Sequence, residues 1–203
     1  MKKSDIDGLN WNDGAFENQE FTGLQCSHLL IKDAEFQDCV FKSCIFIESA
    51  FIKCKFEDCK FQNSDLSLAK FDGSSFINSA FDHSKCVGIN WLKVSIPFNF
   101  DVCFSDSNIS NSNFLGLNLQ HIQLINCVAM DVNFEEANLT HANCTGTDFQ
   151  KTKFHNCDLT KANFSNAKNY SIDHKYNKLK KAIFSLPEAM SLLNGLDIVL
   201  KDG

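Results

Sequence analysis

Several side chains of this sequence could do chemistry, and the histidines and paired carboxylates come first. There are six histidines, and two of them, His121 and His141, lie 20 residues apart. Glu57–Asp58 and Glu135–Glu136 are neighbouring carboxylates of the kind that acid–base catalysis uses. The sequence pairs neither set with a third metal ligand, a nucleophile or an oxyanion donor. We therefore expect no catalytic residue, no metal site, no cofactor and no small-molecule substrate.

The ten cysteines are the second chemical candidate, since they could form disulfides or bind zinc. No two of them have the C-x-x-C spacing that is typical of zinc ligands. Nine fall on two positions of the five-residue repeat described next, and only Cys103 lies off that repeat. Cysteine packs well as a small buried hydrophobe, so we expect structural, reduced thiols.

A strict five-residue period organises most of the chain. Every fifth residue from Ile6 to Ile96 is apolar, and most of these residues, which we call anchors, are phenylalanine. Neither an α-helix nor a β-strand keeps a period of five in phase. A backbone that turns a corner every five residues, with one large side chain inward at each turn, does keep it. The sequence thus predicts a narrow rod that offers a surface and no obvious pocket.

The period breaks once and then resumes. After Ile96 the next anchor is Phe104, eight residues later, and anchors then recur every fifth residue to Phe164. Three extra residues therefore lie within Pro97–Cys103, where we expect a bulge, a kink or a short loop. Two residues before most anchors stands Ala, Ser or Cys, which fits a second, smaller inward position in a narrow, densely packed interior.

Segments such as Ala137-Asn138-Leu139 and Ala162-Asn163-Phe164 follow the pattern A-(D/N)-(L/F)-x-x. In this pattern the chain resembles the pentapeptide-repeat family. The resemblance implies an all-β solenoid, a right-handed quadrilateral parallel β-helix with four repeats per coil. Residues one coil apart then stack on one wall. The expected structural core ladders contain Phe21, Phe41, Phe61 and Phe81, then Phe36, Phe56 and Phe76, and then Leu119, Leu139 and Leu159.

We expect residues 1–184 to form the β-helix and residues 185–203 to form a C-terminal module. Ser185 and Glu188 are placed as N-cap and third residue of a helix from Leu186 to about Asn194, which Gly195 would end in a left-handed conformation. A short, apolar, strand-like tail follows. Its apolar content predicts a homodimer, the alternative being a simple cap on the last coil. The expected dimer interface comprises Met190, Leu192, Leu193, Leu196, Ile198 and Leu200.

Charge is uneven along the chain. The net charge is −6, and all 19 basic residues are lysine. A protein that binds nucleic acid directly would carry a basic stripe with arginines, so we expect no direct nucleic-acid binding. Residues 94–150 contain no lysine, and their acids either suit a basic partner surface or are simply solvated. This acidic surface comprises Asp101, Asp106, Asp131, Glu135, Glu136 and Asp148.

Within the family, the continuous rod, the central break and the C-terminal module resemble the Qnr and MfpA type of quinolone-resistance protein. That resemblance implies a cytoplasmic, non-enzymatic homodimer that mimics DNA, binds DNA gyrase or topoisomerase IV, and protects them from quinolones or other poisons. The chain departs from the type in its unbroken first half, which has no projecting loop, and in its basic C-terminal region. The alternative is a β-helical scaffold with an unrelated protein partner. No run of 18 apolar residues occurs, so we expect no membrane-spanning segment.

Overall fold

The chain folds into an all-β parallel solenoid of about eight turns with little helix, as the five-residue period predicts. The computed structural model describes residues 11–96, 100–196, 198, 199 and 201. The anchor Ile6 and the tail residue Leu200 lie outside these described residues. Within them, no helix is both long enough and apolar enough to cross a membrane.

Each wall of the solenoid is built from very short strands, because the backbone turns after every repeat. The described residues form 14 strands and two 3₁₀ helices, at Trp91–Lys93 and Glu188–Leu196. The strands are β1 Ala15–Glu17, β2 Glu20–Thr22, β3 Leu30–Lys32, β4 Glu35–Gln37, β5 Val40–Lys42, β6 Ala50–Ile52, β7 Lys55–Glu57, β8 Lys60–Gln62, β9 Ser75–Ile77, β10 Ser79–Asp82, β11 Val102–Ser105, β12 Gln123–Ile125, β13 Asn163–Phe164 and β14 Ile183–Phe184.

Strand pairing is parallel and joins equivalent repeats of successive coils. One sheet has the order β1-β4-β7-β9, and a second has the order β12-β11-β10-β8-β5-β2. Phe21 pairs with Phe41 and Phe41 with Phe61, so each anchor meets the anchor four repeats further along the chain. Across the break Phe81 pairs with Phe104, and this coil alone is longer by the three extra residues. The extra residues are therefore absorbed within one coil, and the walls continue beyond it.

The interior is a set of stacked rings. The ring centroids of Phe41 and Phe61 lie 4.7 Å apart, as do those of Phe61 and Phe81, with the ring planes within 8° of parallel. On the next wall Phe56 stacks on Phe36 at 5.0 Å and on Phe76 at 4.8 Å. These distances lie within the range that favourable aromatic pairs adopt. Beyond the break Leu119, Leu139 and Leu159 are fully buried.

The residue two positions after an anchor forms each corner, and we call it a corner residue. Its φ is positive at most corners, for example 52° at Asp58, 60° at Leu68 and 59° at Lys161. A turn with this left-handed residue redirects the chain sharply from one wall to the next. For an L-amino acid other than glycine the conformation costs roughly 1–2 kcal/mol per residue. Burial of the anchors offsets that cost, and the corner side chains are left on the outside of the rod.

The break lies between the anchor Ile96 and Asp101. Ser95 still donates to the carbonyl of Ser74 at 2.7 Å, so the new coil begins in register. Residues 97–99 lie outside the described residues. Phe100 is buried and its ring contacts that of Trp91, with 5.5 Å between centroids. From Val102 onward β11 pairs with β10, and Cys103 takes the outward position before the anchor Phe104.

The C-terminal helix differs from the predicted one. It spans Glu188–Leu196, is of the 3₁₀ type, and contains Gly195 instead of ending before it. The expected capping box is also absent: the Ser185 hydroxyl accepts from the backbone N–H of Asn166 at 3.1 Å, and the Glu188 carboxylate accepts from that of Asn169. The physical reason is that residues 185–188 follow β14 along the preceding coil, whose backbone N–H groups take these side-chain oxygens as acceptors.

The last coil also departs from the expected period. Asn169 and His174, which the period places at anchor positions, are exposed. Tyr170 and Ile172 are buried in their place, and Ile172 pairs with Phe154, a shorter step along the chain than in the earlier coils. The apolar side chains fill the core although they are out of phase, because leaving them in water would cost more than shifting the backbone. In the tail, Ile198 and Val199 are not part of a strand.

Candidate interaction surface

The acidic residues of the middle section surround the rod. We call Asp101, Asp106, Asp131 and Glu136 the acidic girdle. Asp106, Asp131 and Glu136 are corner residues with positive φ, and Asp101 continues the corner row of Asn78, from whose backbone N–H it accepts at 3.0 Å. Each belongs to a different corner row, and all four are exposed. The girdle is thus a ring of charge and not a stripe along the rod.

The girdle carboxylates are free of ion pairs with the described residues, whereas some acids elsewhere pair with a lysine of the adjacent coil. Lys85 approaches Asp65 at 3.5 Å, and Lys178 approaches Asp158 at 3.1 Å, each pair joining two successive coils. Glu135 and Asp148, the remaining acids of the middle section, are half-buried on the walls. Asp148 accepts from the side-chain amide of Asn169 at 2.8 Å. The girdle is therefore the region of this surface that is free to meet a cation.

A groove of about 520 Å³ opens at the break. Ile77, Phe100 and Ile122 form its apolar wall, and Asp101, His121 and Gln123 its polar edge. The expectation of a surface without a pocket is wrong at this point, because the three extra residues interrupt a wall of the solenoid. The groove brings Asp101 and His121, from consecutive coils, to the same edge.

His121 lies on that edge and stacks on His141, the corner residue of the next coil. Their ring centroids are 4.9 Å apart and the planes are 13° from parallel. Desolvation by neighbouring atoms, the charge of Lys161 on the next coil, and His121 itself lower the pKa of His141 from 6.5. Lys161 thus places a positive charge beside His141, which disfavours the binding of a metal cation there.

We predict that Lys161→Gln raises the pKa of His141, because it removes one of the positive charges beside the ring. Because the pKa of His141 is lower in the folded chain, the unfolded chain binds this proton more readily. The free energy of unfolding therefore falls as the pH drops below about 6.5. Titration of the histidine ring signals by NMR measures the change directly. Lys151→Gln, at a corner of another row, is the matched control and should leave the His141 pKa unchanged. An equal shift in both variants would contradict the assignment.

One cluster contains enough ligands for a metal ion. Asp82, His83 and Asp106 offer ligand atoms within 4.8 Å of one another. Sequence reasoning missed this cluster because His83 and Asp106 adjoin only across the break, where the spacing between stacked residues changes. The ring nitrogen Nδ1 of His83 lies 3.0 Å from Asp82 Oδ1, which also accepts from the Ser105 hydroxyl at 2.9 Å. His83 and Asp106 are exposed, and Asp82 and His83 are already bonded to neighbouring side chains, so the cluster does not by itself make a metal site.

The cysteines line the interior. All ten are free thiols, eight are buried, and Cys26 and Cys103 are half-buried. Burial raises the pKa of Cys127 to about 12 and that of Cys144 well above its usual value. Such thiols are poor nucleophiles, since the thiolate is the reactive form. They fill space and donate to carbonyl groups, as Cys59 does to Phe36 at 3.4 Å.

Two family models match separate segments of the chain. Residues 130–166 match the pentapeptide repeats family model, and residues 9–81 match the model of the SV2A/B/C luminal domain. A search of curated proteins finds no significant match. The two matched segments lie on either side of the break and within the same solenoid.

Solved structures share the fold over nearly the whole chain. A trypsin-treated variant of QnrB1, a plasmid-mediated fluoroquinolone resistance protein, superposes with a TM-score of 0.69 at 18% identity, covering 94% of this chain and 99% of that one. HetL, a pentapeptide repeat protein involved in heterocyst differentiation regulation in the cyanobacterium Nostoc, gives 0.69 at 14% identity and 89% coverage of both chains. Full-length QnrB1 gives 0.54 at 18% identity, covering 91% and 100%. At these identities the likeness concerns the fold alone. The repeat match over residues 130–166 and the shared solenoid show that the chain carries pentapeptide repeats and folds as a parallel β-helix.

Proposed function

We propose that this protein is a non-enzymatic, protein-binding rod whose acidic girdle docks on a basic surface of its partner. The main support for this proposal is the ring of four exposed carboxylates that have no ion pair with the described residues. A further support is that residues 94–150 contain no lysine. The interior is filled with stacked side chains, so recognition falls to the corner and wall residues. Unpaired surface charge of one sign steers and orients an oppositely charged partner.

A type II topoisomerase, DNA gyrase or topoisomerase IV, is the partner that we propose. Its DNA-binding surface must be basic, and a rod whose middle carries one exposed carboxylate in each of its four corner rows could occupy that surface in place of DNA. The fold shared with QnrB1, a fluoroquinolone resistance protein, supports this choice. Cytoplasmic localisation belongs to the same proposal, because the enzyme acts on chromosomal DNA. A scaffold for an unrelated protein is the alternative.

The test is gyrase supercoiling across a titration of the protein, with and without ciprofloxacin. We expect the protein at micromolar concentration to change the supercoiling rate or to reduce drug-induced cleavage. A girdle variant with Asp106→Asn, Asp131→Asn and Glu136→Gln should lose most of the effect. The matched control, Asp13→Asn, Asp33→Asn and Glu48→Gln, changes three exposed corner residues of the first half and should keep it. Absence of any effect of the unaltered protein at micromolar concentration would reject the topoisomerase proposal and leave the scaffold.

We also propose that the C-terminal module joins two copies end to end. Met190, Leu196 and Ile198 are 47%, 43% and 52% exposed, and Val199 is 84% exposed. Leu192 instead packs against the core, and Leu193 is half-buried. The module therefore has one side that seals the last coil and another that leaves apolar groups in water. A second copy of the same patch across a two-fold axis would cover those groups.

We predict that Leu196→Asp converts the dimer to a monomer, because it places a charge in an apolar contact. Light scattering coupled to gel filtration measures the mass, and Leu30→Asp, at another exposed leucine far from the module, is the control that should leave it unchanged. If Leu196→Asp and the unaltered chain have the same mass, the module is only a cap.

A further inference from the structure

One corner row changes the sign of its charge along the rod. We call this the edge row, and its members follow the coil register from strand to strand. They are Asn18, Asp38, Asp58, Asn78, Asp101, His121, His141, Lys161 and Lys181. Its first half contains only acids and asparagines, and its second half only histidines and lysines. The change of sign falls between Asp101 and His121, beside the groove at the break.

The contacts show that these residues form one continuous row. The Asn78 side-chain amide donates to Asp58, and its backbone N–H donates to the Asp101 carboxylate at 3.0 Å. Cys103 pairs with Gln123, which places Asp101 beside His121 on the next coil. His121 stacks on His141, and Lys161 donates through its backbone to Lys180, next to Lys181. Successive members are therefore about 4.8 Å apart, the spacing of neighbouring strands.

The charged ends of the edge row are available to a partner. Asp38, Lys161 and Lys181 are exposed, and none of them has an ion pair with the described residues. Like charges that follow one another at this spacing repel; after desolvation, the charge of Lys161 is one of the causes that lower the pKa of His141. A partner with the opposite sequence of charges would relieve that repulsion over the whole length of the row.

We infer that the edge row is a lateral contact between two antiparallel copies of this chain. A two-fold axis between Asp101 and His121 brings each half of the row opposite the other half. Because both rows belong to the same molecule, their spacings agree along the whole contact. The pairs across the axis are Asp101 with His121, Asn78 with His141, Asp58 with Lys161 and Asp38 with Lys181.

The flanking rows agree with this arrangement. The same axis places Gln37 opposite Lys180, Glu57 opposite Thr160 and Lys60 opposite Asn163. No like-charged pair results among the described residues of these rows. A contact of this kind is isologous and closes as a dimer. Other corner rows do not reverse sign in this way: one of them runs Asp13, Asp33, Lys53, Gly73, and later Gly116 and Glu136.

The contact is polar and exposed, so it must depend strongly on salt. Exposed ion pairs are individually weak, and at about 1 M salt charges are screened within roughly 3 Å, against roughly 30 Å at 0.01 M. The end-to-end contact proposed for the C-terminal module is apolar and does not weaken in high salt. The salt-dependent change of the mass therefore reports the lateral contact alone. This inference does not rest on the topoisomerase proposal.

The experiment is sedimentation velocity of the full chain at about 0.01 M and about 1 M salt. We expect the mass at low salt to be at least twice that at high salt, because lateral pairs keep both C-terminal modules free to join further copies end to end. Lys181→Asp and Asp38→Lys should each weaken the low-salt association roughly tenfold, since two attractive pairs per dimer become repulsive. The chain carrying both substitutions should regain the low-salt association, because residues 38 and 181 again carry opposite charges across the two-fold axis.

Matched controls are Lys151→Asp and Asp33→Lys, which make the same charge changes at exposed, positive-φ corners of other rows. They should leave the low-salt association as it is. A mass that does not depend on salt would overturn the inference. So would a double variant, Asp38→Lys with Lys181→Asp, that associates at low salt no more tightly than either single variant. A chain that stays monomeric at low salt while Lys181→Asp abolishes binding to heparin would also overturn it, and would assign the basic half to a polyanion.

Discussion

Phe61→Ala should destabilise the protein by about 3–5 kcal/mol, the usual cost of removing a buried phenylalanine. Phe61 is fully buried, and its ring stacks at 4.7 Å on both Phe41 and Phe81. Neighbouring coils cannot collapse onto the cavity without breaking the register of the six-stranded sheet. Urea unfolding followed by circular dichroism measures the loss of unfolding free energy.

Lys60→Ala is the control on the same coil, because Lys60 is exposed, and we expect a change within about 0.5 kcal/mol. In a solenoid each coil contacts only its neighbours, so the variant could unfold in two steps, on either side of the altered coil. Two transitions would agree with the stacked core. If Phe61→Ala lowers the unfolding free energy by less than about 1 kcal/mol, the stacked core is contradicted, because a fully buried ring contributes more than that.

Ser84→Ala should lower the unfolding free energy by about 1–3 kcal/mol, although it removes a single oxygen atom. The Ser84 hydroxyl is buried, accepts from the backbone N–H of Ser64 at 3.0 Å, and lies 3.0 Å from the carbonyl of Phe61. The column continues on both sides: the backbone N–H of Cys44 donates to the Ser64 hydroxyl at 3.0 Å, and that of Ser84 donates to the Ser107 hydroxyl at 2.9 Å. Alanine would leave the Ser64 N–H without an acceptor in the core.

Thermal and urea unfolding measure this second effect, with Ser75→Ala at an outward position of β9 as the control. Ser84→Cys should recover some of the loss, because the chain itself uses cysteine at the equivalent inward positions 39, 44, 54 and 59. Equal stabilities of Ser84→Ala and the unaltered chain would show that the small inward residues only fill space. The column would then have no role in pairing the coils.

The core could be anticipated from the sequence because it depends on one local rule. A backbone that turns every five residues points each anchor inward, so the apolar period and the four repeats of a coil give the stacking register directly. The stacking of Phe61 between Phe41 and Phe81 follows from that rule. The rule needs no knowledge of distant contacts, since each coil packs only against its neighbours.

The last coil shows where the local rule fails. The pattern Ser185-x-x-Glu188 is typical of a helix N-terminus, but both side chains bond to the backbone of the preceding coil. A local sequence pattern shows that side-chain acceptors are present. Which backbone N–H groups they accept from depends on the donors that the neighbouring coil leaves without a partner. Likewise Tyr170 and Ile172 take the places of Asn169 and His174, because burial of apolar surface outweighs the phase of the repeat.

The five-residue period is enough to predict the solenoid, its anchors and the position of the break, because inward residues must be apolar at a fixed interval. Knowing which outward residues become neighbours requires the stacked coils, since it depends on which coil takes up the three extra residues of the break. Asp82, His83 and Asp106 meet for this reason, and the acids and bases of the edge row fall into one line. The five-residue period does not constrain the outward side chains, so the surface that they form is known only from the stacking of the coils.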